Sequence, residues 1–152
     1  KGGTIKYIRD LVCDIKNPET LINYTPDGVF ALEKNNRTAL FFLEIDRGTE
    51  VLSNPEKGFS KAINFYYNYF VSKKFQRYHE DFKCEPFRGF RVLFVTTTEV
   101  RLGNMREALS KAGHQEHRFI WLTTTNKTKP ETMFQPIWNS LDINDANLYR
   151  IG

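Results

Sequence analysis

The spacing of apolar residues predicts one helix and three strands in the first third of the chain. Apolar side chains recur at helical spacing over residues 4–16, which predicts a helix, and Asn17-Pro18 ends it. Three strands are predicted at residues 20–25, 29–33 and 38–46. Pro26-Asp27-Gly28 predicts a turn before the second strand, and residues 34–37, with two asparagines, predict a hairpin connection before the third.

The rest of the chain predicts helices that alternate with buried strands. The predicted elements are a loop at 48–58, a helix at 59–82, a strand at 91–96, a helix at 104–112 and a strand at 119–122. The last three form a βαβ unit with a parallel pair, and Gly113 stops its helix. Residues 133–141 predict irregular chain or a short strand, followed by a tail. The order α-β-β-β-α-β-α-β predicts an α/β fold with a mixed central sheet and helices on both faces, in a single domain of residues 1–152.

Composition places the chain among ordinary globular proteins. No apolar run approaches the roughly 20 residues of a membrane helix, and no signal-peptide pattern is present, so no membrane association is expected. Cys13 and Cys84 lack metal-ligand spacing and are expected to be free thiols in a reducing cytoplasm. The net charge of +4 is compatible with nucleic-acid binding without requiring it.

The third predicted strand ends in acids. Residues 39–45 form a near-continuous apolar run, typical of a strand buried on both faces. Because side chains alternate along a strand, Leu40, Phe42, Glu44 and Asp46 are predicted to share one face, and Phe41, Leu43, Ile45 and Arg47 the other. Two carboxylates on one face of a buried strand are costly unless a divalent metal, an arginine or a lysine meets them.

This order, with Asp27 at the turn and Glu44 near the end of the third strand, resembles the core of the PD-(D/E)XK, or restriction-endonuclease-like, nucleases. In that superfamily the Asp and the Glu hold one or two Mg²⁺ ions, and a Lys two residues after the Glu helps to activate water. Here Asp46 stands in the place of that lysine. Some members carry the lysine on the following helix, and Lys61 lies in the first turn of the helix predicted here.

A closer resemblance is to the replication-relaxation family of plasmids and mobile elements. The matching segments are Pro26-Asp27, Glu44 to Glu50, Lys61 with Tyr66, Tyr67 and Tyr69, Val95-Thr96-Thr97, Arg101 to Asn104, Trp121 to Thr123 and Pro136-Ile137-Trp138. Glu-Ile-Asp-Arg-Gly-Thr-Glu is the most specific of them. Members usually carry a helix-turn-helix ahead of this region, so the chain is expected to be a fragment of a longer protein.

The resemblance implies a Mg²⁺- or Mn²⁺-dependent DNA endonuclease-like protein that acts with replication or mobilisation partners. Asp27, Glu44 and Asp46, with the carbonyl of Ile45, would supply the hard oxygen ligands that Mg²⁺ prefers. Lys61 would orient water or neutralise developing charge. Glu50 would be a peripheral ligand.

Basic residues supply the expected DNA contacts. Arg47 and Arg101 are candidates to clamp a phosphate. A basic stretch contributes Lys73, Lys74 and Arg77, which a solvated helix end explains equally well.

The same residues admit structural explanations. Asp27 suits a turn irrespective of function, and Lys61 suits a solvated helix. Glu44 and Asp46 can form a structural network with Arg47, Arg37 or Lys61. The main alternative is therefore a catalytically inactive DNA-binding or protein-interaction module with the same fold, which Asp46 at the usual lysine position favours. A third hypothesis is an unrelated α/β binding domain with structural acids.

Overall fold

A seven-stranded mixed sheet forms the centre of the computed structural model, which describes residues 4–7, 15–16, 23–48, 59–113 and 117–152. Its strands are β1 (Thr4–Tyr7), β4 (Gly28–Lys34), β5 (Arg37–Ile45), β6 (Phe90–Thr96), β7 (Ile120–Thr124), β8 (Trp138–Ser140) and β9 (Leu148–Tyr149), in the spatial order β1-β4-β5-β6-β7-β8-β9. The strands β2 (Ile15–Lys16) and β3 (Asn23–Tyr24) form a separate antiparallel pair. Among the described strands, β5, β6 and β7 are parallel to one another and the other pairs are antiparallel. The predicted α/β class with a mixed sheet is confirmed.

The helices pack on one face of this sheet. They are α1 (Phe59–Ser72), α2 (Tyr78–Phe82) and α3 (Glu99–Lys111), with 3₁₀ turns at Lys74–Arg77 and Thr125–Lys127. Residues of α1 and α3 share a single hydrophobic core, because right-handed crossovers that advance in the same direction place both helices on the same side. The prediction of helices on both faces is wrong for the described helices: buried residues near the end of the chain, Ile137, Trp138 and Ile151, cover the other face.

The larger core is rich in aromatic rings. Phe42 of β5 contacts Tyr66 of α1 and Phe90 of β6, with ring centroids 5.5 and 4.9 Å apart. Phe42 and Tyr66 have no exposed surface. This packing fixes α1 across β5 and β6, so that the predicted alternation of faces along β5 is confirmed: Leu40 and Phe42 join this core, and Phe41 joins the opposite one.

The predicted helix over residues 4–16 is wrong where the structure describes that range. Residues 4–7 form β1, which pairs with β4 through Ile5 and Leu32, and residues 15–16 form β2. Short apolar patterns fit strand and helix alike, and pairing with an open sheet edge decides the outcome. Of the predicted strand at 20–25, Asn23–Tyr24 is a strand; residues 8–14 and 20–22 lie outside the described residues.

The hairpin between β4 and β5 is confirmed. Asn35 and Asn36 both have positive φ angles, 52° and 59°. Two consecutive residues in this conformation form the tight turn whose twist matches that of paired strands, and Asn tolerates it better than most residues. The turn sets the register in which Gly28 pairs with Leu43.

The long helix predicted over residues 59–82 is interrupted. The first helix, α1, ends at Ser72, and Lys73 adopts a left-handed backbone with φ 58°. This reversal lets Phe75 turn inward against Phe90, with ring centroids 5.2 Å apart. Burial of that ring explains a break that the continuous apolar pattern did not predict.

The βαβ unit of β6, α3 and β7 is confirmed, including the stop at Gly113 with φ 82°. Its helix begins earlier than predicted, at Glu99 rather than residue 104. Thr98 caps it, because its Oγ1 accepts a hydrogen bond of 3.1 Å from the backbone N–H of Arg101. The cap brings Arg101 into the first turn of α3, beside the end of β6.

The predicted tail belongs to the sheet. The strand β9 pairs with β8, and Ile151 is buried in the second core. None of the helices described in the ranges above has the length and apolar character that crossing a membrane requires.

Candidate functional site

The candidate site lies where the parallel strands end. The strands β5, β6 and β7 run in the same direction, so Ile45, Thr96 and Thr124 finish at one edge of the sheet, called here the carboxyl edge. Helix α1 begins near this edge, since the ring of Phe59 lies 5.3 Å from that of Phe94. In open α/β sheets this is the edge where ligands commonly bind.

Asp27 immediately precedes β4 and lies beside the last residue of β5, Ile45. Its carboxylate is exposed, and Oδ2 accepts a hydrogen bond of 2.7 Å from the backbone N–H of Ile45. The side chain thereby takes the place of a ladder partner beyond the last pair, Gly28 with Leu43. Because the N–H and C=O of one strand residue point the same way, the carbonyl of Ile45 also faces Asp27.

Glu44 immediately precedes Ile45 and points to the helix-covered face. Its side chain is buried, and Oε1 accepts a hydrogen bond of 2.5 Å from the hydroxyl of Tyr66. Tyr66 lies on α1 and is fully buried. Packing of α1 on the sheet therefore fixes the orientation of this carboxylate.

Asp46 is held in a network of hydrogen bonds. Its Oδ2 accepts from Thr96 Oγ1 at 2.5 Å and from Arg101 Nε at 3.0 Å, and its Oδ1 accepts from the backbone N–H of Gly48 at 3.0 Å. Burial raises the pKa of the Asp46 carboxyl, but these three hydrogen bonds and the charge of Arg101 outweigh burial, so the pKa lies below its usual value. The cation that the buried acids required is, for Asp46, an arginine.

The three predicted metal ligands do not form one cluster. Within the described ranges, no group of three or more His, Cys, Asp or Glu side chains is arranged to hold a metal ion. Asp46 is paired with Arg101, whereas Asp27 accepts from the amide of Ile45, and Glu44, the residue before Ile45, accepts from Tyr66. Glu50 lies outside the described residues.

The predicted cationic residues of this edge differ in their surroundings. Lys61 is exposed in the first turn of α1, and Arg47 is exposed just after β5. Neither side chain has a hydrogen bond or ion pair with any residue that the structure describes. Arg101 is largely buried against Asp46, and its guanidinium carbon lies 5.9 Å from the ring centroid of Phe59.

The remaining DNA-contact candidates lie at the opposite end of α1. Phe75, beside Lys73, Lys74 and Arg77, packs against Phe90 at the start of β6. A helix of 14 residues is about 20 Å long, which separates these cations from the acids. Arg77 also donates a hydrogen bond of 3.1 Å to the hydroxyl of Tyr78. The structure thus brings Asp27, Glu44, Asp46 and Arg101 to one edge and leaves this basic group at the other.

Two residues of the site carried only a weak sequence signal. Tyr66 belongs to an aromatic run whose simplest explanation is core packing, and Tyr67 and Tyr69 in the same run also carry hydroxyls. Thr96 is one of the threonines that follow buried strands, for which strand propensity is a sufficient explanation.

The molecule is an α/β protein in which Asp27 and Glu44 lie near Ile45 at the end of β5, and Asp46 forms an ion pair with Arg101. Comparison of the chain with models of known protein families, with curated proteins and with solved structures found no match. The geometry of the carboxyl edge is therefore the basis for assigning a function.

Proposed function

We propose that the protein is a metal-dependent, endonuclease-like protein with a PD-(D/E)XK core, which hydrolyses DNA phosphodiesters in the replication or mobilisation of a plasmid or mobile element. The observation that supports this most strongly is the 2.7 Å hydrogen bond from the Ile45 amide to Asp27. It sets an exposed carboxylate next to the strand segment that carries Glu44.

The donors of this edge suit Mg²⁺ or Mn²⁺. Mg²⁺ in proteins is commonly bound by one or two carboxylates together with waters and substrate phosphate, so a three-carboxylate cage is not needed. Asp27 and Glu44, with the carbonyl of Ile45, would hold the ion. When bound, it would polarise the scissile phosphate and lower the pKa of a water ligand.

The other side chains of the edge would position substrate. Asp46 fixes the guanidinium of Arg101 and is a positioning residue in this proposal, not a metal ligand. Arg47 and Lys61 are exposed cations that can neutralise a phosphate brought to this edge. Lys61 would take the part of the lysine that Asp46 displaces.

Cleavage of supercoiled plasmid in Mg²⁺ or Mn²⁺ tests the proposal. Asp27→Asn and Glu44→Gln keep the size of each side chain but remove its charge. We expect each to slow nicking by about 100-fold or more, the order of magnitude lost when a group that stabilises the transition state is removed. Glu107→Gln is the matched control, because Glu107 pairs with Lys111 on the surface of α3. Nicking that survives both Asp27→Asn and Glu44→Gln would contradict the proposal.

A second candidate is a module with this fold that binds DNA or protein without chemistry. The ion pair of Asp46 with Arg101 favours it, since it places a neutralised pair where a free lysine is usual. This candidate predicts no nicking by the unaltered protein, together with salt-sensitive DNA binding that neither Asp27→Asn nor Glu44→Gln changes.

A further inference from the structure

Two grooves meet at the edge of the sheet opposite the acids, where β5, β6 and β7 begin. One, of about 660 Å³, is lined by the start of β5 and the segment leading into β6. The other, of about 830 Å³, is lined by the segment leading into β7, by β9 and by the connection between β8 and β9. Arg91 lines both. Each volume lies in the range of small-molecule sites.

Four arginines follow this edge. Arg37 opens β5, Arg88 and Arg91 flank the start of β6, and Arg118 precedes β7. Within the described parts of the chain none of the four forms an ion pair. Because they line the two grooves at the starts of three neighbouring strands, which are about 5 Å apart, they are called here the arginine row.

Arg91 is the most constrained member of the row. Its guanidinium carbon lies 3.5 Å from the ring centroid of Trp121, and Nη1 donates a hydrogen bond of 2.9 Å to the carbonyl of Arg118. Burial lowers the pKa of Arg91 to about 10, although the nearby Tyr149 opposes this shift. A guanidinium that has lost solvent without gaining a carboxylate is stabilised when an anion binds beside it.

Acidic residues also line the grooves, and neighbouring groups donate hydrogen bonds to two of them. Asp145 Oδ2 accepts hydrogen bonds of 2.8 Å from the hydroxyls of Ser140 and Tyr149. Asp142 Oδ1 accepts one of 2.9 Å from the backbone N–H of Asn144. Glu85 lies in the first groove with Arg37, Arg88 and Arg91. The first groove holds three arginines and one acid, so it carries the excess of positive charge, whereas in the second groove Arg91 and Arg118 are balanced by Asp142 and Asp145.

We propose that the two grooves form one phosphate-binding surface centred on Arg91. Arginine presents a planar set of donors that matches the oxygens of phosphate, and a row of arginines suits successive phosphates. The Trp121 ring already stacks against the guanidinium of Arg91 and against the Tyr149 ring, whose centroid is 5.2 Å away. Recognition of phosphate is therefore expected to outweigh stacking of a base on Trp121. The ligand is either a nucleic-acid strand or a free nucleotide. This surface is distinct from the carboxyl edge and does not depend on cleavage there.

Fluorescence anisotropy of a labelled single-stranded oligonucleotide, in EDTA and over a series of KCl concentrations, tests the surface apart from any metal-dependent activity. The test variants are Arg88→Ala with Arg118→Ala, which removes two exposed charges, and Arg91→Lys, which keeps the charge but loses the planar fork. Lys129→Ala removes an exposed charge from a residue that lines neither groove and is the matched control. Thermal unfolding of each variant establishes that it is folded.

We expect the double variant to bind about five- to tenfold more weakly for each arginine lost near 0.1 M salt, with a shallower salt dependence. Arg91→Lys should weaken binding without changing the salt slope, and Lys129→Ala should change neither. Displacement of the oligonucleotide is then measured with a deoxynucleoside monophosphate and with inorganic phosphate, each below the concentration of the oligonucleotide's phosphates. Displacement by the nucleotide but not by inorganic phosphate would identify a free nucleotide as the ligand. No displacement by either would identify the strand. Absence of binding, or equal losses in the double variant and Lys129→Ala, would overturn the proposal.

Discussion

At the scale of single residues, the three acids of the carboxyl edge have different partners. Asp27 accepts from a backbone amide and is exposed, Glu44 accepts from a buried tyrosine, and Asp46 is paired with Arg101. The charge of Asp46 is met by the guanidinium of Arg101, which is largely buried beside it. Its surroundings also define how this pair should respond to pH.

The Asp46 pair predicts a specific acid sensitivity. The folded pKa of Asp46 lies below its unfolded value near 3.9, so its contribution to stability is complete above that value and is lost as the pH falls through the folded pKa. Asp46→Asn should therefore lower the free energy of unfolding by about 3 kcal/mol at neutral pH, because it leaves Arg101 largely buried without its partner. Urea unfolding at a series of pH values measures this.

The variant should also lose part of the pH dependence below about pH 4, where the unfolded carboxyl takes up its proton. Glu107→Gln is the control: its pair with Lys111 is exposed and should contribute little. Equal stability losses in the two variants would show that Asp46 and Arg101 are not a buried pair in solution.

The need for a cation near Asp46 could be predicted from the sequence, but its source could not. Alternation along a buried strand placed Glu44 and Asp46 on one face, and that placement is confirmed. The partner, Arg101, is 55 residues away in the chain and reaches Asp46 only because Thr98 starts α3 early. Nothing in local spacing distinguishes it from Arg47, Arg37 or Lys61.

At the scale of elements, predictions held where local signals and the sheet agree. The hairpin of β4 and β5 has suitable turn residues, and the unit of β6, α3 and β7 has continuous apolar runs with clear ends. The predictions for residues 4–7 and for Lys73 were wrong because contacts with distant parts of the chain override the local pattern. Residues 4–7 pair with β4, and Phe75, beside Lys73, is buried against Phe90. The C-terminal strand was missed because it is only two residues long.

Burial of Ile151 gives the C-terminal segment a measurable role. Ile151 is 8% exposed in the second core, whereas Ile143 is 49% exposed. Ile151→Ala should lower the free energy of unfolding by about 2–4 kcal/mol, while Ile143→Ala should change it by less than about 0.5 kcal/mol. Chemical unfolding monitored by tryptophan fluorescence makes the comparison. Equal, small effects would mean that the segment does not cover the sheet.

At the scale of the whole molecule, the two proposed sites lie at opposite ends of the parallel strands. The carboxyl edge carries Asp27 and Glu44, and the opposite edge carries the arginine row centred on Arg91. In the two proposals, a divalent ion and the scissile phosphate would bind at the carboxyl edge, and a second phosphate-bearing ligand would bind at the arginine row. The two surfaces can therefore be altered independently.

Binding of Mn²⁺, followed by calorimetry and by the loss of its free-ion EPR signal, tests the central claim that Asp27 and Glu44 form a cation site. The account predicts saturable binding to the unaltered protein, weakened at least about tenfold by Asp27→Asn and by Glu44→Gln, since each removes one of two charged ligands. Asp142→Asn, at the opposite edge, should leave it unchanged. Binding that is absent, or equal in all four proteins, would contradict the account.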